Sequence, residues 1–166
     1  MKRALVCGLA ALASCGPFLN LSSRLSLPFE AGRQGAAVAT TMRVLVEENY
    51  SFRLKLQARE GDQADIDRVK ALAGVGNPYA GREDSAGIPI PIRLRVIRVR
   101  GSAEELLIDR EFSDHTLEAS APNPAKVITR MPLPSGRYRF RIEALRDIPE
   151  LAGTPVRFEV YVRHYK

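Results

Sequence analysis

A chain of 166 residues, 45% hydrophobic and 27% charged, has the length of one ordinary domain and enough apolar material for a packed core. Its 25 Lys+Arg against 19 Asp+Glu give a formal net charge of +6. Two cysteines, two histidines and no tryptophan exclude a cysteine-rich zinc module, a disulfide scaffold and a multi-cysteine redox centre, and no apolar run reaches the ~18 residues of a membrane-spanning helix.

The amino terminus reads as an address. Lys2 and Arg3 precede the apolar and small residues Ala4 to Ser14, and Pro17 stops any helix. That order predicts a secretory signal over residues 1–14. An amphipathic core helix is the competing reading, but the segment has no polar face. Leu12-Ala13-Ser14-Cys15 resembles the bacterial lipoprotein box. The resemblance implies that Cys15 is lipidated and becomes the first mature residue. Cleavage there removes Cys7 and leaves 23 basic against 19 acidic residues, a mild excess in a compartment without nucleic acid. Each buried acyl methylene contributes ~0.8 kcal/mol, so a lipid holds the chain at a bilayer without a spanning helix. Gly16, where an Asp would resemble an inner-membrane retention signal, implies an outer-membrane anchor on the periplasmic side. Residues 15–34, rich in Ser, Pro and Gly, read as a lipidated tether.

From residue 35 to 166 the pattern is that of strands. Ala36–Val46 is a weak first strand. Tyr50, Phe52, Leu54 and Leu56 then alternate with Ser51, Arg53, Lys55 and Gln57. Asp62 can cap a helix with Ile66, Val69 and Leu72 or Ala73 on one face and Gly74 as its left-handed stop. A polar, glycine-containing loop follows to Gly87. Ile88, Ile90, Ile92, Leu94 and Val96 share one parity, whereas Ile97 and Val99 fall on the other, a slip that a β-bulge after Val96 or a strand changing neighbours would explain. Pro89 and Pro91 lack ladder donors and place the start of this strand at an edge. Weaker strands follow at Leu106–Phe112 and Lys126–Leu133. Tyr138, Phe140, Ile142 and Ala144 alternate with Arg137, Arg139, Arg141 and Glu143; Val156, Phe158, Val160 and Val162 alternate with Arg157, Glu159, Tyr161 and Arg163.

Seven strands with one short helix after the second predict an all-β fold, an antiparallel immunoglobulin-like β-sandwich. Tyr138, just past the Leu133-Pro134-Ser135-Gly136 turn, is similar to the tyrosine corner of such domains. Gly87-Ile88-Pro89-Ile90-Pro91-Ile92-Arg93-Leu94, Gly136-Arg137-Tyr138-Arg139-Phe140 and Ile148-Pro149-Glu150-Leu151-Ala152-Gly153-Thr154-Pro155-Val156 together resemble an uncharacterised family of bacterial lipoproteins with a numbered domain of unknown function. The likeness runs from about residue 28 to the end. It implies a sandwich scaffold and carries no functional residue over.

Catalytic signals are sparse. His115 beside Asp114 can be an oriented base, but no G-x-S-x-G elbow supplies a nucleophile, and His115 and His164 read as exposed side chains. Gly74 to Gly81 follows a helix, contains Pro78 and lacks a Gly-Lys-Ser/Thr ending, so it reads as a connection rather than a phosphate loop. Asp62, Asp65 and Asp67 suit a helix start better than a calcium loop. No metal, cofactor or catalysis is expected.

Arginines are the more informative feature. If the strands Ile88–Val99, Arg137–Leu145 and Val156–Arg163 are neighbours, Arg93, Arg95, Arg137, Arg139, Arg141, Arg157 and Arg163 share one face. Interleaved acids such as Glu143, Glu159, Glu104, Glu105, Asp109 and Glu111 would make that face an ordinary solvated one. Left in excess, the arginines form a recognition surface for an acidic protein or anionic lipid headgroups. The expectation is a lipid-anchored periplasmic binding module, in its concrete form an immunity protein that blocks a secreted effector. The alternatives are a structural or assembly accessory of an envelope complex and, more distantly, a hydrolase using His115.

Overall fold

The structure is a computed structural model and describes residues 24–76, 85–118 and 122–162. The expected signal, Cys15, most of the loop after Gly74, Arg163 and His164 lie outside the described residues.

Alternating apolar residues form two antiparallel sheets. In chain order the elements are β1 (Arg24–Pro28), β2 (Ala37–Val44), β3 (Glu48–Leu56), helix α1 (Gln63–Ala73), β4 (Ile92–Arg100), β5 (Ala103–Phe112), β6 (Thr116–Glu118), β7 (Ala125–Leu133), β8 (Gly136–Ala144), a 3-10 turn (Pro149–Leu151) and β9 (Val156–Val162). One sheet runs β1-β9-β3-β7-β6 and the other β2-β8-β4-β5. Their inner faces close on Phe52, Leu54, Leu94, Val96, Tyr138, Phe140, Ile142, Phe158 and Val160, all at most 1% exposed. Phe52 meets the opposite sheet edge-to-face on Phe140, with ring centroids 5.6 Å apart, and stacks on Phe158 of its own sheet. Each such ring contributes ~1.5–3 kcal/mol by burial.

Local sequence features account for the details. Asp62 accepts a hydrogen bond from the Asp65 N–H at 3.0 Å, and Gly74, at φ 92°, closes α1 by donating to the Lys70 and Ala71 carbonyls. The register between β4 and β5 shifts at Val96/Ile97, but the extra residue is Leu107 of β5, and β4 itself runs in unbroken register with β8, so Ile97 and Val99 are apolar residues on its outer side. Tyr138 donates its hydroxyl to the Pro134 carbonyl at 2.7 Å, which is the tyrosine corner expected.

Three expectations need correction. Among the described residues nine strands form where seven were expected, and α1 follows the third of them. The extra strand β1 arises within the expected tether: Arg24 to Pro28 pair with Tyr161 to Arg157, so from Arg24 onward the chain belongs to the sandwich. The second extra strand, β6, is a three-residue edge on β7. Pro89 and Pro91 do not lie on an edge strand; they precede β4, whose ladder starts at Ile92 between β8 and β5.

Candidate functional site

Register turns the outer face of the four-stranded sheet into a grid. Reading across β2, β8, β4 and β5, the rows are Ala37, Glu143, Arg93 and Glu111; then Ala39, Arg141, Arg95 and Asp109; then Thr41, Arg139, Ile97 and Leu106; then Arg43, Arg137, Val99 and Glu104. Five of the seven predicted arginines, at 93, 95, 137, 139 and 141, are thus brought together. Arg43, on the weakly patterned strand β2, joins them opposite Arg137. Ile97 and Val99 fall on this outer side by the same alternation as Arg93 and Arg95, since β4 keeps an unbroken register with β8.

The two upper rows are largely neutralised. Arg93 donates to Asp109 at 2.7 Å, Arg95 lies 3.6 Å from the same carboxylate, and Arg141 meets Glu143 at 3.1 Å. These five residues line a shallow depression of about 200 Å³. The hydrogen bond and charge of Arg93 hold the Asp109 carboxyl below its usual range. Arg139 meets Glu104 at 2.7 Å. The last row differs. Arg43 and Arg137 stand directly opposite each other across β2 and β8, and among the described residues neither has an ion-pair partner. Like charges facing across an antiparallel pair are destabilising, so this pair is the uncompensated part of the face.

Arg157 is not on this face. β9 belongs to the five-stranded sheet, where Arg157 donates to the Ser26 hydroxyl at 2.7 Å and to the Ser26 carbonyl at 2.8 Å. Arg157 and the arginines of β8 alternate alike in sequence, and alternation does not say which sheet a strand joins. Arg163 lies outside the described residues.

That second outer face is organised around Glu159, which is 1% exposed and not the solvated acid its alternation suggests. Its carboxylate accepts from Arg53 Nε at 2.9 Å, Arg24 Nη2 at 3.0 Å and Ser26 Oγ at 3.0 Å. Arg53 lies 4.0 Å over the Tyr161 ring and 3.4 Å from Glu118. Burial pushes the Glu159 carboxyl up, but the hydrogen bonds of Arg53 and Arg24 and the charge of Arg53 outweigh it and hold the group below its ordinary value. All these partners belong to the chain itself, so the cluster is structural.

The histidine reading is also revised. His115 is half-buried, with Nε2 2.8 Å from the Ile90 carbonyl and Nδ1 enclosed without a partner. Lys126, 2% exposed, donates to the Ala86 and Ile88 carbonyls, the latter at 2.9 Å. Together they stitch residues 86–90 to the sandwich end that α1 covers. Nothing in the sequence flagged Lys126, because the slip between β3 and β7 after Phe52 turns it inward opposite Leu54. Among the described residues no His, Cys, Asp and Glu group has metal-binding geometry.

These features define the class: an antiparallel, immunoglobulin-like β-sandwich with a mixed-charge outer sheet face. Residues 26–162 match the family described as Domain of unknown function (DUF5625), and the chain belongs to that family. The fold is similar to that of a protein of known crystal structure from Sulfurospirillum deleyianum, at 20% identity and a TM-score of 0.71, over 86% of this chain and 98% of that one. The pre-peptidase C-terminal domain of collagenase from Bacillus anthracis aligns over 89% of this chain and 97% of its own at 10% identity, but its TM-score of 0.35 carries no argument. No curated protein matches.

Proposed function

We propose that this protein is a lipid-anchored binding module without catalysis, held through Cys15 on the periplasmic face of the outer membrane, and that the outer face of its four-stranded sheet receives an acidic surface of a partner protein. The observation that carries the reading is the Arg43–Arg137 pair, two cations opposed across β2 and β8 beside Arg139. A carboxylate supplied by a partner removes their repulsion and gains charge-assisted hydrogen bonds in the same step. Ala37, Ala39 and Thr41 leave a low ledge along β2 through which a partner reaches the arginine column of β8. His115 supports the absence of catalysis as a reading, because its Nε2 is engaged with the Ile90 carbonyl in holding a loop. The concrete role we favour is an immunity protein that blocks a secreted effector at the envelope.

The test is capture from envelope extract with the tagged full chain, run beside R43E/R137E and R139E/R141E variants. A specific partner should be retained by the wild-type chain, lost in raised salt, and weakened about tenfold or more by either charge reversal. Retention unchanged by both reversals would remove this face from the reading. A captured subunit of an envelope machine, rather than an effector, would favour the assembly role.

A further inference from the structure

We propose that the end of the sandwich carrying the Leu45–Val46 turn seats in the bilayer to which the chain is anchored. The inference rests on the lipid-anchoring reading and adds a contact surface to it.

Register puts the start of β1 at Arg24, the β2–β3 turn at 45–47, the β4–β5 turn at 101–102 and the Pro134–Ser135 turn at one end. Helix α1 and the connections 29–36 and 145–155 occupy the other. Leu45 and Val46 are consecutive and 58% and 64% exposed. The third exposed large apolar side chain, Leu106, differs in kind: it lies on the sheet face opposite Ile97. Leu45 and Val46 instead project from a turn where the chain passes between sheets, and the described residues leave them largely uncovered.

The occupant follows from chain length. Eight residues separate Cys15 from Arg24, a reach of at most roughly 30 Å. A lipid on Cys15 therefore holds Arg24 within that distance of the surface and joins the anchor directly to this end, whereas the α1 end lies a further strand length, about 30 Å, from the point of attachment. Among the described residues the charge at this end nearly cancels: Arg43, Arg98, Arg100, Arg137 and the Glu159-paired Arg24 face Glu47, Glu48, Glu104 and Glu105. The seat is therefore apolar and shallow, and salt does not loosen it.

The chain has no tryptophan, so V46W and, at the opposite end, A152W each introduce a single emitter. Each full chain is purified from bacterial envelopes and reconstituted in phosphatidylcholine vesicles brominated on their acyl chains. V46W emission should shift to the blue and be quenched more than ~2-fold. A152W should show neither change, adding L45E to V46W should abolish both, and high salt should alter nothing. Equal behaviour of V46W and A152W overturns the proposal. So does quenching lost in salt, which would assign the contact to headgroup charge on Arg43 and Arg137. Intact mass of the same preparations reads the anchor separately. An unacylated Cys15 overturns the anchoring reading; a C7S/V46W chain coupled through Cys15 to a maleimide lipid then decides the seat by the same quenching.

Discussion

Replacing Arg53 by Met leaves Glu159 buried with its principal partner gone. In the native fold Arg53 reaches Glu159 Oε2 through Nε at 2.9 Å and Nη2 at 2.8 Å, and the two side chains are 13% and 2% exposed. Removing one member of a buried pair costs ~3–5 kcal/mol because the other stays desolvated. Arg24 and Ser26 remain at 3.0 Å, but Arg24 is 56% exposed and screened, which puts the loss near the lower limit, ~3 kcal/mol. For a domain of this size that corresponds to roughly 6–12 °C in Tm. Urea unfolding followed by circular dichroism at pH 7 measures it. The pH dependence has a definite sign. Glu159 is depressed in the folded state, so its contribution is complete above about 4.5 and is lost as pH falls through the folded value. Without Arg53 the folded value rises, and the gap between R53M and wild type narrows in acid. The R53M/E159M double variant should recover most of the loss, since an apolar pair leaves no charge stranded. A loss below ~1 kcal/mol, or a gap that stays constant down to pH 3, would refute the assignment of Glu159 as an ion-paired buried carboxylate.

Two further outcomes are expected. Y138F removes the 2.7 Å bond to the Pro134 carbonyl and leaves that acceptor unmade, for a loss of about 1–2 kcal/mol in urea unfolding; no change would mean water replaces the bond. Burial is the main cause that pulls His115 below its usual 6.5, with the charge of Lys126 acting the same way and the Ile90 bond and Asp114 opposing. The unfolded chain then takes up the proton more readily, so stability falls as pH drops below about 6.5, and a pH series on H115Q should be flatter there.

Much of this architecture could be read from single residues. Asp62 and Gly74 bracket α1 because a side-chain acceptor and a left-handed turn are local needs. The phase change after Val96 misled, because the extra residue of the bulge is Leu107 on β5 and Ile97 and Val99 are apolar on an outer face. What escaped depends on partners distant in the chain. Arg24–Pro28 has too few alternating residues to read as a strand, and only pairing with β9 makes it one. Glu159 and Arg141 look alike in alternation, yet one is enclosed by Arg53 and Arg24 and the other is exposed, because β1 covers its neighbour in one sheet and β2 carries alanines in the other. The arginine face was legible to the extent that β4 and β8 do adjoin, and it failed at Arg157 where the assumed neighbour strand joined the opposite layer.

The pairing of the first described strand with the last has a mechanical side. Tension on the residues before Arg24 runs along the axis of β1, whose five register pairs with β9 resist together in shear rather than opening one after another like a zipper. The first side chain to feel that load is Arg24, gripped by Glu159, which Arg53 in turn fastens to β3 in the middle of the sheet. A pull at Arg24 is thus shared by three strands before any one of them can peel away.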